Sequence, residues 1–231
     1  GYWQQDVHYQ ISAEIIDTEN LIKGHEILTY TNNSPDELNY VFFHLYQNAF
    51  EPGSYLDKFR TANKMESIYR PDELKQKGTE ILSVKSNDEV LDIEIDNTIM
   101  KVFLKEPLKS GESIVFDIVF DTYFGGNQEE GNVRRRMKVY EEFGNKHYNG
   151  VHWYPRISVY DRKFGWTTDQ HLGKEFYGDF GCFDVELTFP ENYIVEATGF
   201  MLNRDDVLPK ELMKKLDIKN FANKKYNSPP S

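Results

Sequence analysis

The sequence predicts an all-β fold, built from saddle-shaped or sandwich-like antiparallel sheets with one short C-terminal helix. Apolar and polar residues alternate along many short stretches, which is the pattern of a strand with one buried face. Turn-forming residues separate these stretches, and aromatic residues, which favour strands, make up 15% of the chain. Strand patterns do not alternate regularly with helix patterns, so an α/β fold is not indicated.

The first three predicted strands form an antiparallel start. Residues 7–15 alternate apolar and polar side chains, residues 22–31 return after a turn at 17–20, and residues 39–46 follow the turn signal at 32–36. Because the connecting turns are short, we expect these strands to pair with one another.

A long connection without strand alternation follows at residues 48–78, with short helices expected around Leu56 and Glu73. Beyond it, strands are predicted at 81–86, 90–96, 98–104, 113–123, 133–143, 156–160, 183–189 and 193–201. The second and third of these are expected to form a hairpin. The C-terminal helix is predicted at 208–216, where leucine recurs every fourth residue and Pro209 stands in the first turn.

Composition excludes several classes of protein. A chain of 231 residues with 39% hydrophobic residues can bury the core of one β domain. The net charge of -11 repels nucleic-acid phosphates, and the basic cluster at 134–138 has acidic neighbours, so we expect no nucleic-acid partner. No apolar run approaches the roughly 18 residues that a membrane-spanning helix needs. The single cysteine, Cys182, excludes an intramolecular disulfide and is expected to be a buried thiol.

The most distinctive stretch runs from Val151 to Phe189. It reads Val-His-Trp-Tyr-Pro-Arg-Ile-Ser-Val-Tyr-Asp, then a Gly-Trp loop, then Glu-Phe-Tyr-Gly-Asp-Phe-Gly-Cys-Phe-Asp-Val-Glu-Leu-Thr-Phe-Pro. With three further patterns it resembles the N-terminal domain of the zinc aminopeptidases related to aminopeptidase N, peptidase family M-one, and in particular their secreted bacterial branch. Those patterns are Tyr-Trp-Gln-Gln at 2–5, Leu-Thr-Tyr-Thr-Asn-Asn-Ser-Pro-Asp at 28–36 and Phe-His-Leu-Tyr-Gln-Asn-Ala-Phe at 43–50.

The resemblance implies a role in a larger enzyme. In that family a saddle-shaped β domain packs on the zinc-bearing catalytic domain, closes one wall of the peptide cleft, and so serves the removal of N-terminal residues from peptides. Residues 1–203 would form this domain, and residues 204–231 a helix and linker that lead to the catalytic domain. Zinc would belong to the catalytic domain and no cofactor to this chain. A periplasmic or secreted location is implied, and a cytoplasmic one stays open.

The zinc-binding helix of the family, His-Glu-x-x-His, is not found in the sequence. The nearest string begins at His25-Glu26, but Thr29 stands where the second histidine belongs. The surrounding alternation predicts a strand, in which His25 and Glu26 point to opposite faces. We therefore expect the chain itself to be non-catalytic, although the parent protein would be a zinc metallo-aminopeptidase.

Three residues of the signature stretch are predicted to line the substrate cleft. His152, Trp153 and Tyr154 immediately precede Pro155, and relatives hold the substrate's amino group near this point. His152 stands where close relatives have glutamine, and the aromatic pair could supply apolar contact. The alternative is that Trp153 and Tyr154 fill the core beneath Trp166.

Two other functions remain open at this stage. His147, His152 and His171 could join Cys182 or Asp169 around a metal, but their spacing matches neither a helical nor a strand ligand pattern. The chain could also be a stand-alone carbohydrate-binding or adhesion β-sandwich that uses exposed aromatic rings as stacking platforms. A broad exposed apolar patch would favour the peptidase domain, and isolated aromatic rings in a groove would favour the binding module.

Overall fold

Two of the three longest strands lie at the start of the chain, where the alternation is regular. In this computed structural model, which describes residues 2–65, 77–125, 137–142, 144–173 and 177–222, β1 spans Asp6–Ile16 and β2 spans Leu21–Thr31. They pair antiparallel along their whole length, and their alternate residues are buried. The turn between them contains Asn20 in the left-handed region (φ 53°), which asparagine tolerates better than most residues.

Short strands make up most of the remainder. They are β3 Leu38–His44, β4 Thr79–Ser86, β5 Glu89–Val90, β6 Ile93–Asp96, β7 Ile99–Leu108, β8 Ser113–Tyr123, β9 Met137–Glu142, β10 Asn145–Gly150, β11 Arg156–Ile157, β12 Tyr160–Asp161, β13 Gly165–Trp166 and β14 Cys182–Thr188. The helical elements are a 3-10 helix at Tyr46–Phe50, α1 Tyr55–Ala62, α2 Arg204–Val207, α3 Lys210–Lys215 and a 3-10 turn at Ile218–Asn220.

Two sheets pack face to face. The larger has the strand order β14-β1-β2-β8-β4-β5, and the smaller has the order β11-β3-β7-β6. All pairs within them are antiparallel except β1 with β14. The all-β, sandwich-like prediction is therefore confirmed, with one parallel pair that it did not contain.

The core has two parts that cover different lengths of the larger sheet. Buried residues of both sheets form the main cluster, which includes Tyr9, Leu28, Phe43, Met100 and Phe116. A second cluster lies under the antiparallel hairpin β9-β10 and contains residues of β1, β2 and that hairpin. The inner face of the larger sheet is thus covered partly by the smaller sheet and partly by the hairpin.

The chain divides into two compact units, residues 1–192 and residues 193–231. The second unit contains α2, α3 and the last 3-10 turn, and no residue from 193 to 222 is buried. No helix in the described ranges is long and apolar enough to cross a membrane.

Most predicted strands are confirmed, and five predictions need correction. The third strand, β3, does not pair with β1 or β2 but belongs to the smaller sheet. The strand predicted at 90–96 is divided into β5, which pairs with β4 in the larger sheet, and β6, which pairs with β7 in the smaller sheet. Residues 193–201 form no strand, because their alternation finds no partner strand to bond. The strand predicted at 156–160 is split into β11 and β12, since Ser158 and Val159 are both buried and alternation fails there. Tyr46 lies in a 3-10 helix and not at the end of β3.

Other predictions about elements have mixed outcomes. The hairpin of β6 with β7, the helix near Leu56 and the C-terminal helix are confirmed, although α3 is shorter than predicted. The helix expected around Glu73, the arginines of the basic cluster and the linker at 228–231 lie outside the described residues.

Cys182 is exposed, which corrects the expectation of a buried thiol. It begins β14, the edge strand of the larger sheet, and is paired with His8, whose side chain lies on the outer face. Side chains on the outer face of an edge strand have no layer above them and only one neighbouring strand beside them.

Candidate functional site

The side chain of Gln47 joins the loop between β10 and β11 to the 3-10 helix at Tyr46–Phe50 by hydrogen bonds. The buried Gln47 amide donates from Nε2 to the carbonyl oxygens of Val151 (2.9 Å) and His152 (3.2 Å). His152 has a positive φ of 56°, a conformation that non-glycine residues rarely adopt without support. We infer that Gln47 sets the backbone path of residues 151–155, which we call the signature loop.

The His152 ring lies against the tyrosine next to Gln47 in sequence. Its centroid is 4.8 Å from that of Tyr46, which also stacks on His44 at 5.0 Å and meets His171 edge-on at 5.3 Å. Tyr46, His44 and His171 are all buried. Within the parts of the chain that the structure describes, no group of three or more His, Cys, Asp or Glu side chains could hold a metal ion.

Trp153 and Tyr154 point toward the larger sheet. Trp153 is half-buried, packs against both parts of the core and lies 6.4 Å from Phe120, centroid to centroid. Tyr154 meets Tyr9 and Phe183 edge-on, at 5.5 Å and 6.0 Å. Burial raises the pKa of Tyr154 to about 12. The three predicted residues therefore sit together on one loop.

The expected position beneath Trp166 is not observed. The Trp166 ring packs against Tyr30, Phe42 and Tyr160, whereas the ring contacts described for Trp153 are to Phe120 and Tyr154. The core alternative is thus correct in that Trp153 is packed, and wrong about the neighbour it packs against.

A buried carboxyl group lies on the inner face of the larger sheet, between the two parts of the core. Glu26 is fully buried, and its strand neighbours are the inward side chains Ile11 and Ile118. Neither carboxyl oxygen has a hydrogen-bond partner among the described residues. Burial raises the pKa of Glu26 well above its usual value. His25 is exposed, so the two residues diverge as predicted and the zinc-motif reading of this string is excluded.

The carboxyl group of Glu26 acts electrostatically on two tyrosines of the core, Tyr9 and Tyr154. The hydroxyl of Tyr9 accepts a hydrogen bond from the backbone nitrogen of Ile157 at 3.1 Å. Burial raises the pKa of Tyr9, and the carboxyl of Glu26 raises it further. The charge on Glu26 also raises the pKa of Tyr154, although burial is the larger cause there. The carboxyl group therefore lies close to the part of the core that the signature loop covers.

A second acid with an altered pKa lies at the other side of β11. Asp179 is partly buried, and burial raises its pKa to about 6, while a hydrogen bond from Gln4 and the nearby Arg156 act in the opposite direction. Arg156 donates from Nη2 to the backbone oxygen of Asp179 at 3.3 Å, not to its carboxylate. A Cβ atom at Gly178 would overlap the guanidinium group, so a larger residue there would displace the Arg156 side chain.

The edge strand β14 leaves apolar side chains uncovered. Phe183 and Val185 lie beside the inward residues Tyr9 and Ile11, yet they are 44% and 47% exposed. Phe180, just before the strand, is 91% exposed. We call these three residues the β14 face. The Phe183 ring stacks on Tyr9 at 4.6 Å, so the face continues the inner surface of the sheet beyond its covered part.

Among known proteins, matches to this chain are found only with solved structures. The chain matches a two-domain M1 zinc metallopeptidase with bound L-tryptophan at 16% identity, with a TM-score of 0.46, over 83% of this chain and 34% of that one. It matches an M1 zinc metallopeptidase from Deinococcus radiodurans at 14% identity, with a TM-score of 0.45, over 85% and 35%. The chain therefore spans about a third of the length of these proteins. No family model and no curated protein matches it.

The sequence did not predict the structural settings of Gln47, Glu26 and Asp179. For Glu26 a signal was present, because the alternation of β2 places position 26 on the same face as Leu28 and Tyr30. For Gln47 and Asp179 no local pattern existed, since their neighbours lie far away in the sequence.

We expect Gln47→Leu to loosen the signature loop. The substitution replaces the amide by an apolar side chain of similar size and leaves the carbonyls of Val151 and His152 without their donor, which should lower the free energy of unfolding by roughly 1–3 kcal/mol. Urea denaturation measures this loss, and hydrogen exchange should rise in peptides that cover 151–155. Gln10→Leu, on the exposed outer face of β1, is the control. Unchanged exchange in the Gln47 variant would show that the loop holds its path without the amide.

Proposed function

We propose that this chain is the non-catalytic N-terminal domain of a zinc-dependent aminopeptidase that removes N-terminal residues from peptides. Zinc and the catalytic base would be supplied by a catalytic domain of the same polypeptide, on which this domain packs. The signature loop, with His152, Trp153 and Tyr154, would line one wall of the peptide cleft. The family resemblance in the sequence motivates this proposal, and one structural observation supports it.

That observation is the β14 face. Apolar side chains on the inner surface of a sheet are normally covered, because exposing them to water is unfavourable by about 25 cal/mol per Å². Phe183 and Val185 remain about half exposed, and Tyr154 of the signature loop contacts the first of them. A contiguous apolar surface beside the signature loop is what a docked catalytic domain would cover.

The alternative of a stand-alone binding module is less well supported. It uses exposed Trp153, Trp166 and tyrosine rings as stacking platforms, and both tryptophan rings are half-buried and packed against the core. No described feature places either ring in an open groove.

The first test concerns the chain alone. Without the zinc ligands it has neither a Lewis acid nor an activated water, so we expect no hydrolysis of aminoacyl p-nitroanilides by the purified chain. The longer polypeptide should hydrolyse them and lose activity in a chelator. Chelator-sensitive turnover by the chain alone would contradict the proposal, as would a parent gene without a His-Glu-x-x-His sequence downstream.

The second test concerns the β14 face. In the longer polypeptide Val185→Asp should weaken the packing of the two domains, which limited proteolysis between them would report, and should reduce aminopeptidase activity. Val115→Asp is a matched control, since Val115 is 44% exposed on β8 of the same sheet but lies on the outer face. In the isolated chain both variants should change stability by less than about 1 kcal/mol. Equal effects of the two variants on proteolysis would rule out docking at this face.

A further inference from the structure

A second surface of the first unit has the features of a ligand site. It is an open depression of about 800 Å³ between the N-terminal segment, the loop before β3 and the β12-β13 hairpin. Its walls include Trp3, Tyr160, Asn33, Asp36, Ser110 and Arg162. We call it the aromatic depression. It contains none of the residues of the signature loop or of the β14 face.

A column of stacked rings forms one wall of the depression. Trp3 stacks on Tyr160 with centroids 5.6 Å apart, Tyr160 packs on Trp166 at 4.9 Å, and Trp166 reaches the buried Tyr30 at 6.4 Å. The Tyr160 hydroxyl donates to Oδ2 of Asp36 at 2.8 Å. Because the column is anchored in the core, Trp3 at its outer end offers an aromatic surface that is held in place before any ligand arrives.

The loop before β3, which carries Asn33 and Asp36, is held in place by hydrogen bonds. The backbone nitrogen of Asn33 donates to Oε1 of Gln5 at 2.6 Å, and its side-chain Nδ2 donates to the backbone oxygen of Gln4 and to Oδ2 of Asp6, each at 3.0 Å. Among the described contacts, the Asn33 amide oxygen and Oδ1 of Asp36 accept no hydrogen bond. Both oxygens therefore remain available as acceptors at the depression.

The aromatic depression also contains hydrogen-bond donors. Arg162 is exposed at the rim and forms no ion pair within the described part of the chain, and Ser110 contributes an exposed hydroxyl. Two aspartates, Asp36 and Asp161, and one arginine, Arg162, are among the residues that line the depression. With a net charge of -11 on the chain, a polyanionic ligand is disfavoured and a neutral ligand is favoured.

We propose that the aromatic depression binds a neutral carbohydrate through one pyranose unit. A pyranose ring has an apolar C–H face, which packs on an aromatic ring, and adjacent hydroxyls that both donate and accept hydrogen bonds. Trp3 provides the aromatic surface, Asp36 and Asn33 accept from hydroxyls, and Arg162 and Ser110 donate to them. The openness of the depression suits the end or side of a longer oligosaccharide. This proposal does not depend on the one made for the β14 face.

The test uses the purified chain and four neutral probes: maltotetraose, cellotetraose, xylotetraose and mannotetraose. Isothermal titration calorimetry should show saturable binding of at least one of them, with a dissociation constant on the order of 0.1–1 mM. Trp3→Ala and Arg162→Ala should each weaken that binding about tenfold or more. Arg162→Ala removes only an exposed side chain, so its effect does not rest on the folding of the variant.

The control is Phe164→Ala, which removes a 62% exposed ring from the same hairpin outside the depression and should leave the affinity unchanged. The proposal is overturned if none of the four probes binds at about 10 mM, or if Trp3→Ala and Arg162→Ala bind as the unmodified chain does. It is also overturned if tetra-alanine binds as tightly as the sugars, since the depression would then be a peptide groove.

Discussion

Replacing Glu26 by methionine should stabilise the protein by roughly 2–4 kcal/mol at pH 7. The carboxyl group is fully buried without a hydrogen-bond partner among the described residues, and an apolar side chain of similar length removes that unfavourable burial. Urea denaturation at pH 7 measures the difference. Glu26→Gln is the matched control, because it removes the ionisable proton but keeps a buried polar group. A methionine variant less stable than the unmodified chain would show that the carboxyl group has a partner.

The same substitution should change how stability depends on pH. The pKa of Glu26 is raised in the folded state above its usual value of 4.5. Above pH 4.5 the unfolded chain has therefore released a proton that the folded chain still holds, and stability falls as pH rises, by up to about 1.4 kcal/mol per pH unit. The fall ends at the folded-state pKa. In Glu26→Met and in Glu26→Gln this contribution should be absent.

Asp179 also makes the free energy of unfolding fall as pH rises, by a smaller amount than Glu26. The pKa of Asp179 rises from 3.8 to about 6 on folding. Its contribution to the free energy of unfolding therefore falls as pH rises from about 4 to about 6 and is constant above pH 6. Its carboxyl group is only partly buried, and solvent screening reduces the effect. The Glu26 variants should therefore keep only the shallow slope between about pH 4 and pH 6 that Asp179 contributes.

Trp153→Ala should have the largest destabilising effect of any single change in the signature loop. The indole contacts both parts of the core, so its removal leaves a cavity between them, and we expect a loss of roughly 3 kcal/mol, near the lower end for buried tryptophan. Thermal and urea unfolding measure the loss, with Phe164→Ala, expected within about 0.5 kcal/mol, as the control.

This expectation modifies what the sequence predicted for Trp153. Truncating a tryptophan that only lines a cleft would leave stability nearly intact, whereas Trp153 packs against both parts of the core. Lining of the cleft stays a prediction. In the longer polypeptide His152→Ala, which alters a half-buried ring, should shift the preference among N-terminal residues with a smaller loss of stability than Trp153→Ala. A stability loss below about 1 kcal/mol for Trp153→Ala would show that the indole does not support the core.

The sequence predicted the fold well where one face of a strand is buried and the other is exposed to solvent. β1, β2 and β8 satisfy this condition, and their predicted limits agree with the structure to within about a residue. Alternation describes a single strand, however, and carries no information about its partner. Residues 193–201 alternate without pairing, and β14 alternates but pairs parallel to β1.

The candidate site was predictable only in part, because alternation and local motifs carry no information about contacts between distant parts of the chain. The signature loop was located from its position before Pro155, and its three residues do lie together. Its support comes from Gln47, more than a hundred residues earlier, through hydrogen bonds to backbone oxygens that any residue at 151 and 152 would offer. Such a contact leaves no periodicity in the sequence.

The parallel pairing of β14 with β1 has a consequence for how the protein is made. His8 and Asp184, bonded across this pair, are 176 residues apart in the chain. A ribosome that adds roughly 5–20 residues per second needs on the order of 10–30 s to synthesise that interval. Throughout this time one edge of β1 has no partner, so a nascent chain exposes an apolar strand edge to other chains. Contacts of such long sequence separation also slow folding after release. We expect the yield of folded protein to depend on the nascent-chain chaperones available during this interval.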